Sequence, residues 1–320
     1  MKAVSGAIAA ALVLLPIATI CAQEALAVLT EMQTKRGKIE VKMAGEAEWQ
    51  TPKPLLSLRA GDQVRVIGDG RVVLVFTGGR GSQTVSQGSS PFTVQAPAGA
   101  SVSDNARSVL GNVTNFLLGQ QREKTYQSLS VRSVPGQSPV ILSPRETRVL
   151  PGALVFDWAG SDRTKYRIRL LDSEGKVVWE HADLDRRPVI YPAGAPALLL
   201  GAHYTWELEA LGTRDSIMRR ASFDVLPGAD AARVGDALAE LTPGTAAGYP
   251  PGTLALMRAG LLFHEKLYAD SRRELLAAIA AAPREPTLRL LLGHVYDRTS
   301  LKELAAKEFE EAEALTMPSP

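Results

Sequence analysis

"LALMRAGLLFHEKLYADSRRELLAAIAAAP" (residues 254–283) is followed by "LRLLLGHVYDRTSLKELAAKEFEEAEALTMP" (residues 288–318). The two stretches carry the same sequence of side-chain sizes. Gly260, Phe263, Ser271, Leu275 and Ala278 in the first answer to Gly293, Tyr296, Ala305, Phe309 and Ala312 in the second, and each stretch closes near a proline, Pro283 and Pro318. Apolar residues recur at helical period on both sides of a short break, which predicts two helix–turn–helix units. A small residue permits two helices to cross closely, and an aromatic fills the hole beside it.

This pattern resembles the tetratricopeptide repeat. The glycines lie one residue short of that family's period, with the missing residue in the turn around Leu267, and Ser271 stands where the family prefers Ala. Two repeats make a short solenoid, so the helix-like stretch "ADAARVGDALAEL" (residues 229–241) is expected to complete the stack. The repeat segment is assigned to residues 229–320. The resemblance implies a concave groove that takes peptides or protein segments. Its expected lining is on the first helices, with Arg258, Leu262 and Glu265 in one repeat and Arg289 and Tyr296 in the other.

Upstream, the periodicity changes to that of strands. In residues 28–97, "GKIEVKM", "DQVRVIG", "RVVLVF" and "SPFTVQAP" alternate or run apolar between Gly, Pro and Asp clusters, which predicts a small all-β unit. Gly78-Gly79-Arg80-Gly81 sits between two of these runs. A phosphate loop needs a Lys-Ser/Thr pair and a helix after the glycines; here the lysine is missing and a strand follows, so the glycines are read as a hairpin turn. The segment resembles the FecR-type periplasmic domain, through Gly37 before an early strand, Leu58, Gly61 and Asp62 at a Gly-Asp turn, Val64, Val66 and Gly70 in the next strand, Gly79 to Ser82 at a turn, and Ser89, Ser90 and Val94 in the last.

Residues 101–135 are read as a helix and a linker. Asp104 is suited to capping, and Val109, Leu110, Val113, Phe116 and Leu117 form one apolar stripe, expected to pack on the β unit or to bridge to the next domain. Residues 137–227 hold about seven short strands, the count of an immunoglobulin-like sandwich. "FDW" (residues 156–158), together with Leu200, Gly201 and Tyr204, is similar to fibronectin type III-like domains, with Trp158, Tyr166, Tyr204 and Trp206 expected in the core. The fold class is therefore multidomain: a FecR-like β domain, a β-sandwich, then α-helical hairpin repeats.

The first 22 residues have the layout of a secretory signal peptide. Lys2 precedes an uncharged apolar run, Pro16 follows it, and Ala22 is a cleavage position, with a second after Ala27. The expected location is periplasmic or secreted; an uncleaved segment would instead anchor the chain in the membrane. The net charge of +2 and the 6% aromatic content argue against nucleic acid as a partner. His181, His203, His264 and His294 show no ligand spacing, and Cys21 lies within the signal segment. No cofactor, metal or catalytic constellation is expected.

These readings predict a non-catalytic envelope protein that binds or scaffolds another envelope protein or peptide segment through its helical repeats. The FecR resemblance implies an alternative, a transmembrane signalling regulator, although the apolar segment starts at Ala3 and leaves no cytoplasmic segment of the kind that family uses. The β domains alone suggest a third reading, a cell-wall polysaccharide-associated module.

Overall fold

The computed structural model describes residues 24–34, 36–95, 103–120, 139–152, 154–184, 187–212 and 217–317. The signal segment and the linker of the sequence reading lie outside them. Antiparallel sheets dominate the N-terminal part and helical hairpins the C-terminal part.

The first β unit comprises β1 (Ala27–Thr34), β2 (Lys38–Lys42), β3 (Ser57–Leu58), β4 (Gln63–Ile67), β5 (Gly70–Phe76), β6 (Ser82–Ser86) and β7 (Phe92–Thr93). They form two small sheets in the orders β3-β1-β5-β6 and β2-β4-β7. Alternation works as expected in β2 and β4, where Ile39, Val41, Val64 and Val66 turn inward to meet Leu29, Leu58, Leu74 and Val85. The Gly61-Asp62 turn has a physical reason: the buried Asp62 carboxylate accepts the Ala44 N–H at 2.8 Å and the Arg59 N–H at 2.7 Å, tying two loops together.

The predicted helix is α1 (Asp104–Gln120), and it buries Leu110, Val113 and Leu117. Each such side chain contributes on the order of 2 kcal/mol. One side of α1 sits on the glycine turn between β5 and β6. A Cβ on Gly79 would lie 2.3 Å from the Arg107 carbonyl oxygen, and one on Gly111 would lie 3.3 Å from the Gly78 Cα. The turn glycines thus do more than reverse the chain; they let a helix backbone come against a loop backbone.

The sandwich comprises β8 (Val140–Ser143), β9 (Thr147–Val149), β10 (Val155–Ala159), β11 (Lys165–Leu171), β12 (Val177–Leu184), β13 (Val189–Ile190), β14 (His203–Leu211) and β15 (Ile217–Val225). Its sheets run β13-β10-β8 and β12-β11-β14-β15-β9, antiparallel except for the β9–β15 pair. Phe156, Trp158, Trp206 and Phe223 fill the core. The Trp206 indole N–H donates to the Pro144 carbonyl at 2.7 Å, and the Tyr204 hydroxyl accepts the Leu199 N–H at 3.0 Å.

The helices that follow are α2 (Gly228–Glu240), α3 (Pro251–His264), α4 (Tyr268–Ala281), α5 (Pro286–Arg298) and α6 (Lys302–Thr316). Proline opens both α3 and α5, where its missing N–H costs nothing. The paired glycines serve different neighbours. Gly293 faces Phe309 of its own hairpin, whereas Gly260 faces Val113 and Leu117 of α1. Ser271, fully buried, satisfies its hydroxyl on the Ala259 carbonyl at 2.8 Å. One hydrophobic cluster runs from Val28 and Val75 through α1 into α3, α4 and α5, so the first β unit and the hairpins share a core.

Gly79→Ala should unfold at lower denaturant, with a loss of about 3 kcal/mol, because a Cβ meets the α1 backbone at a φ of +64°. Urea titration followed by circular dichroism measures it. Wild-type stability in this variant would mean that α1 does not depend on the turn.

Candidate functional site

Each of the five residues expected in a groove already holds a partner within the chain. Arg258 donates to the Leu238 carbonyl at 3.1 Å and to Glu274 at 3.0 Å. Leu262 is buried with Leu226, Val234 and Leu267, at the point where the sandwich, α2 and the α3–α4 turn meet. Glu265 takes both nitrogens of the Arg233 fork, at 2.7 and 2.8 Å, and that hydrogen bonding holds its carboxyl below the usual range against the opposing effect of burial. Arg289 reaches Glu308 at 2.9 Å on α6. Tyr296 is buried under Arg272, whose Nε donates to its hydroxyl at 3.4 Å. The first three share one face of α3, directed at α2 and the sandwich, and the last two share a face of α5, directed at α4 and α6.

The other face of α3 is covered as well. Phe116 of α1 packs on Phe263 and edge-on to His264, with ring centres 5.5 and 5.1 Å apart. His294 packs edge-on to Phe309. Among the described residues no group of three or more His, Cys, Asp or Glu is placed to hold a metal ion.

The start of α5 meets β1. A register shift between Leu29 and Glu31 makes Thr30 an extra residue in the strand, so neighbouring side chains reach the same helix. The Thr30 hydroxyl lies 3.2 Å from that of Thr253, and Thr253 donates to Glu31 at 2.7 Å. Arg71 donates to the other oxygen of Glu31 at 2.9 Å. Beyond the short β3, the outer edge of β1 offers a free N–H at Met32, which the Glu285 carboxylate accepts with both oxygens at 2.9 and 3.0 Å. Glu285 also caps α5 by accepting the Thr287 N–H. Burial pushes the Glu285 carboxyl up to about 7, helped by the neighbouring Glu31, while the hydrogen bonds from Met32 and Thr287 pull the other way.

The remaining concavity is a cleft between the sandwich and α4, with a volume of about 300 Å³. Its walls are Val149, Leu150, Leu154 and Val155 from the sandwich and Ala269 and Leu276 from α4. Two charge pairs line it. Arg272 meets Asp157 at 2.9 Å across the domain boundary, with both side chains largely buried, and Arg273 meets Asp270 at 2.6 Å within α4. Burial raises the Asp270 carboxyl; Arg273 and the Leu150 backbone N–H oppose it. Tyr296, expected in a groove, backs Arg272, one of the residues that line this cleft. The cleft leaves no local pattern in the residues, because the two walls named above lie more than a hundred residues apart.

No protein-family model matches the chain, and no curated protein matches it. Among solved structures, the crystal structure of CopC from Methylosinus trichosporium OB3b is similar over 28% of this chain and 95% of its own, at 20% identity and a TM-score of 0.23. That overlap is too slight to carry an argument.

The contribution of Glu285 to stability should fall as pH rises. A carboxyl at about 7 in the folded chain and 4.5 in the unfolded one binds more proton when folded, so this contribution is fully present below about pH 4.5 and is lost up to about pH 7, by about 3 kcal/mol for Glu285. Asp270 acts in the same direction. Thermal melts of Glu285→Gln across that window should show a flatter slope than wild type. An unchanged slope would remove Glu285 as its source.

Proposed function

We propose that this chain is a non-catalytic binding or scaffolding protein of the bacterial envelope, built of FecR-like, sandwich and tetratricopeptide-like modules. The observation that carries the reading is the cleft between the sandwich and α4. It is an apolar recess at a module boundary with a few fixed polar groups, the usual form of a binding site. Its charged residues are locked in pairs, an arrangement suited to holding a ligand in a fixed surrounding. The repeats contribute through α4 and through Tyr296 behind Arg272.

An envelope location fits the way β1 begins. Leu26 and Ala27 pair with Leu58 and Phe76, and the Leu26 carbonyl accepts the Thr77 N–H. Cleavage after Ala27 would strip these contacts from the sheet; cleavage after Ala22 leaves β1 whole. Among the described residues no helix is long and apolar enough to cross a membrane. N-terminal sequencing of protein recovered from a periplasmic extract should therefore begin at Gln23. A start at Met1 would replace the secreted reading with an anchored one.

A photo-crosslinking residue at position 276, on the cleft, should give a discrete protein adduct in intact cells. The same residue at Glu174, in an exposed turn of the sandwich, should not. No adduct at 276, or equal labelling at both sites, would remove the binding reading.

A further inference from the structure

We infer, resting on that binding reading, that the cleft between the sandwich and α4 takes one large apolar side chain, of leucine or phenylalanine size, from an uncharged peptide segment of a partner protein. A cleft of about 300 Å³ is at the small end for ligand sites and holds roughly one bulky residue with part of its backbone. Its walls are aliphatic on both sides, and Leu276 on α4 is 38% exposed there, a large apolar side chain that the fold leaves uncovered.

The charge arrangement selects the occupant. Arg272 is matched by Asp157 and Arg273 by Asp270, so the cleft has no surplus of either sign. An anionic ligand would compete with Asp157 and Asp270 for the guanidinium groups. A cationic one would compete with the arginines for the carboxylates. Breaking the largely buried Arg272–Asp157 pair leaves a charge uncompensated. An amide group avoids that conflict, because it brings one donor and one acceptor and no net charge. Arg273 uses one N–H on Asp270, and its side chain is 58% exposed, so further donors of its five face outward for a peptide carbonyl. A plain hydrocarbon chain would cover these groups without offering them a hydrogen bond, at a desolvation cost. The site therefore fits an apolar side chain carried on a peptide backbone better than an acyl chain.

The test uses the full mature chain, labelled with nitrogen-15, in a transverse-relaxation-optimised titration. The probe is a pentapeptide, Ala-Ala-Phe-Ala-Ala, acetylated and amidated so that it has no charge. Saturable shifts should appear at the amides of Leu150, Leu154 and Ala269. Leu276→Glu should weaken binding by about tenfold or more, and Leu276→Ala, a smaller change on an exposed helix face, by less in the same direction. Peptides with Asp or Lys in place of Phe should leave those amides unmoved. The proposal is overturned if the neutral peptide gives no cleft shifts, if charged peptides bind as well, or if octanoate moves the same amides more tightly. Adducts at position 276 that persist while the peptide fails would keep the binding reading and discard this ligand class.

Discussion

The structure depends on one strand being covered from three directions. β1 pairs with β5 along one edge, packs its inward side chains into the first β core, and gives its remaining face and outer edge to the helices. The extra residue at Thr30 makes this possible. It places Thr30 and Glu31 side by side toward Thr253, and it is followed by the Met32 N–H that Glu285 accepts. A buried backbone donor without a partner is costly. Here the carboxylate that caps α5 also completes the sheet edge, so the strand and the helix each supply what the other lacks. The exchange draws two carboxylates into one seam, and burial sets the protonation of Glu285 near neutrality.

That seam explains how a stack of only two hairpins is sustained. Short solenoids lack the neighbouring repeats that bury their faces. In this chain α1 covers the Gly260 face of α3, β1 covers the start of α5, and α2 with Leu226 of the sandwich covers Leu262. Gly260 keeps the small size expected at a helix crossing, but the helix that crosses it is α1 and not the partner in its own hairpin. The two hairpins are thus covered by contacts with the rest of the chain.

Much of the plan was legible in residue patterns. Alternation found β2 and β4, the glycine pair and aromatic spacing found α3 to α6, and the stripe Leu110, Val113 and Leu117 found the buried side of α1. β1 was not legible as a strand. It is buried on both faces from Ala27 to Met32, so it shows no alternation. The partners of the five residues expected in a groove were hidden for a related reason. Helical period identifies which residues share a face, but not whether the chain itself later covers that face. Arg258, Glu265 and Arg289 read as exposed charges until Glu274, Arg233 and Glu308 are brought to them from other helices. The cleft was invisible because Asp157 and Arg272 meet only after the sandwich and α4 have docked.

Covering one side of the hairpins also decides which side remains usable. α4 keeps a face toward the sandwich, and the two meet through specific polar ties: the Arg148 N–H donates to the Lys266 carbonyl at 2.9 Å, the Thr147 hydroxyl lies 3.1 Å from the same carbonyl, and Arg272 reaches Asp157. These bonds fix the relative position of the two modules at the end of the cleft nearest the α3–α4 turn. They do not fill the space beyond, where Val155 and Leu276 stand apart. A gap lined by aliphatic side chains forfeits dispersion contacts on both walls, so a fold with no use for it gains by closing it. Here the Arg272–Asp157 pair spans the boundary, and Arg272 rests over the Tyr296 ring. The recess therefore lies where the two modules meet through a few polar ties and not through continuous apolar packing.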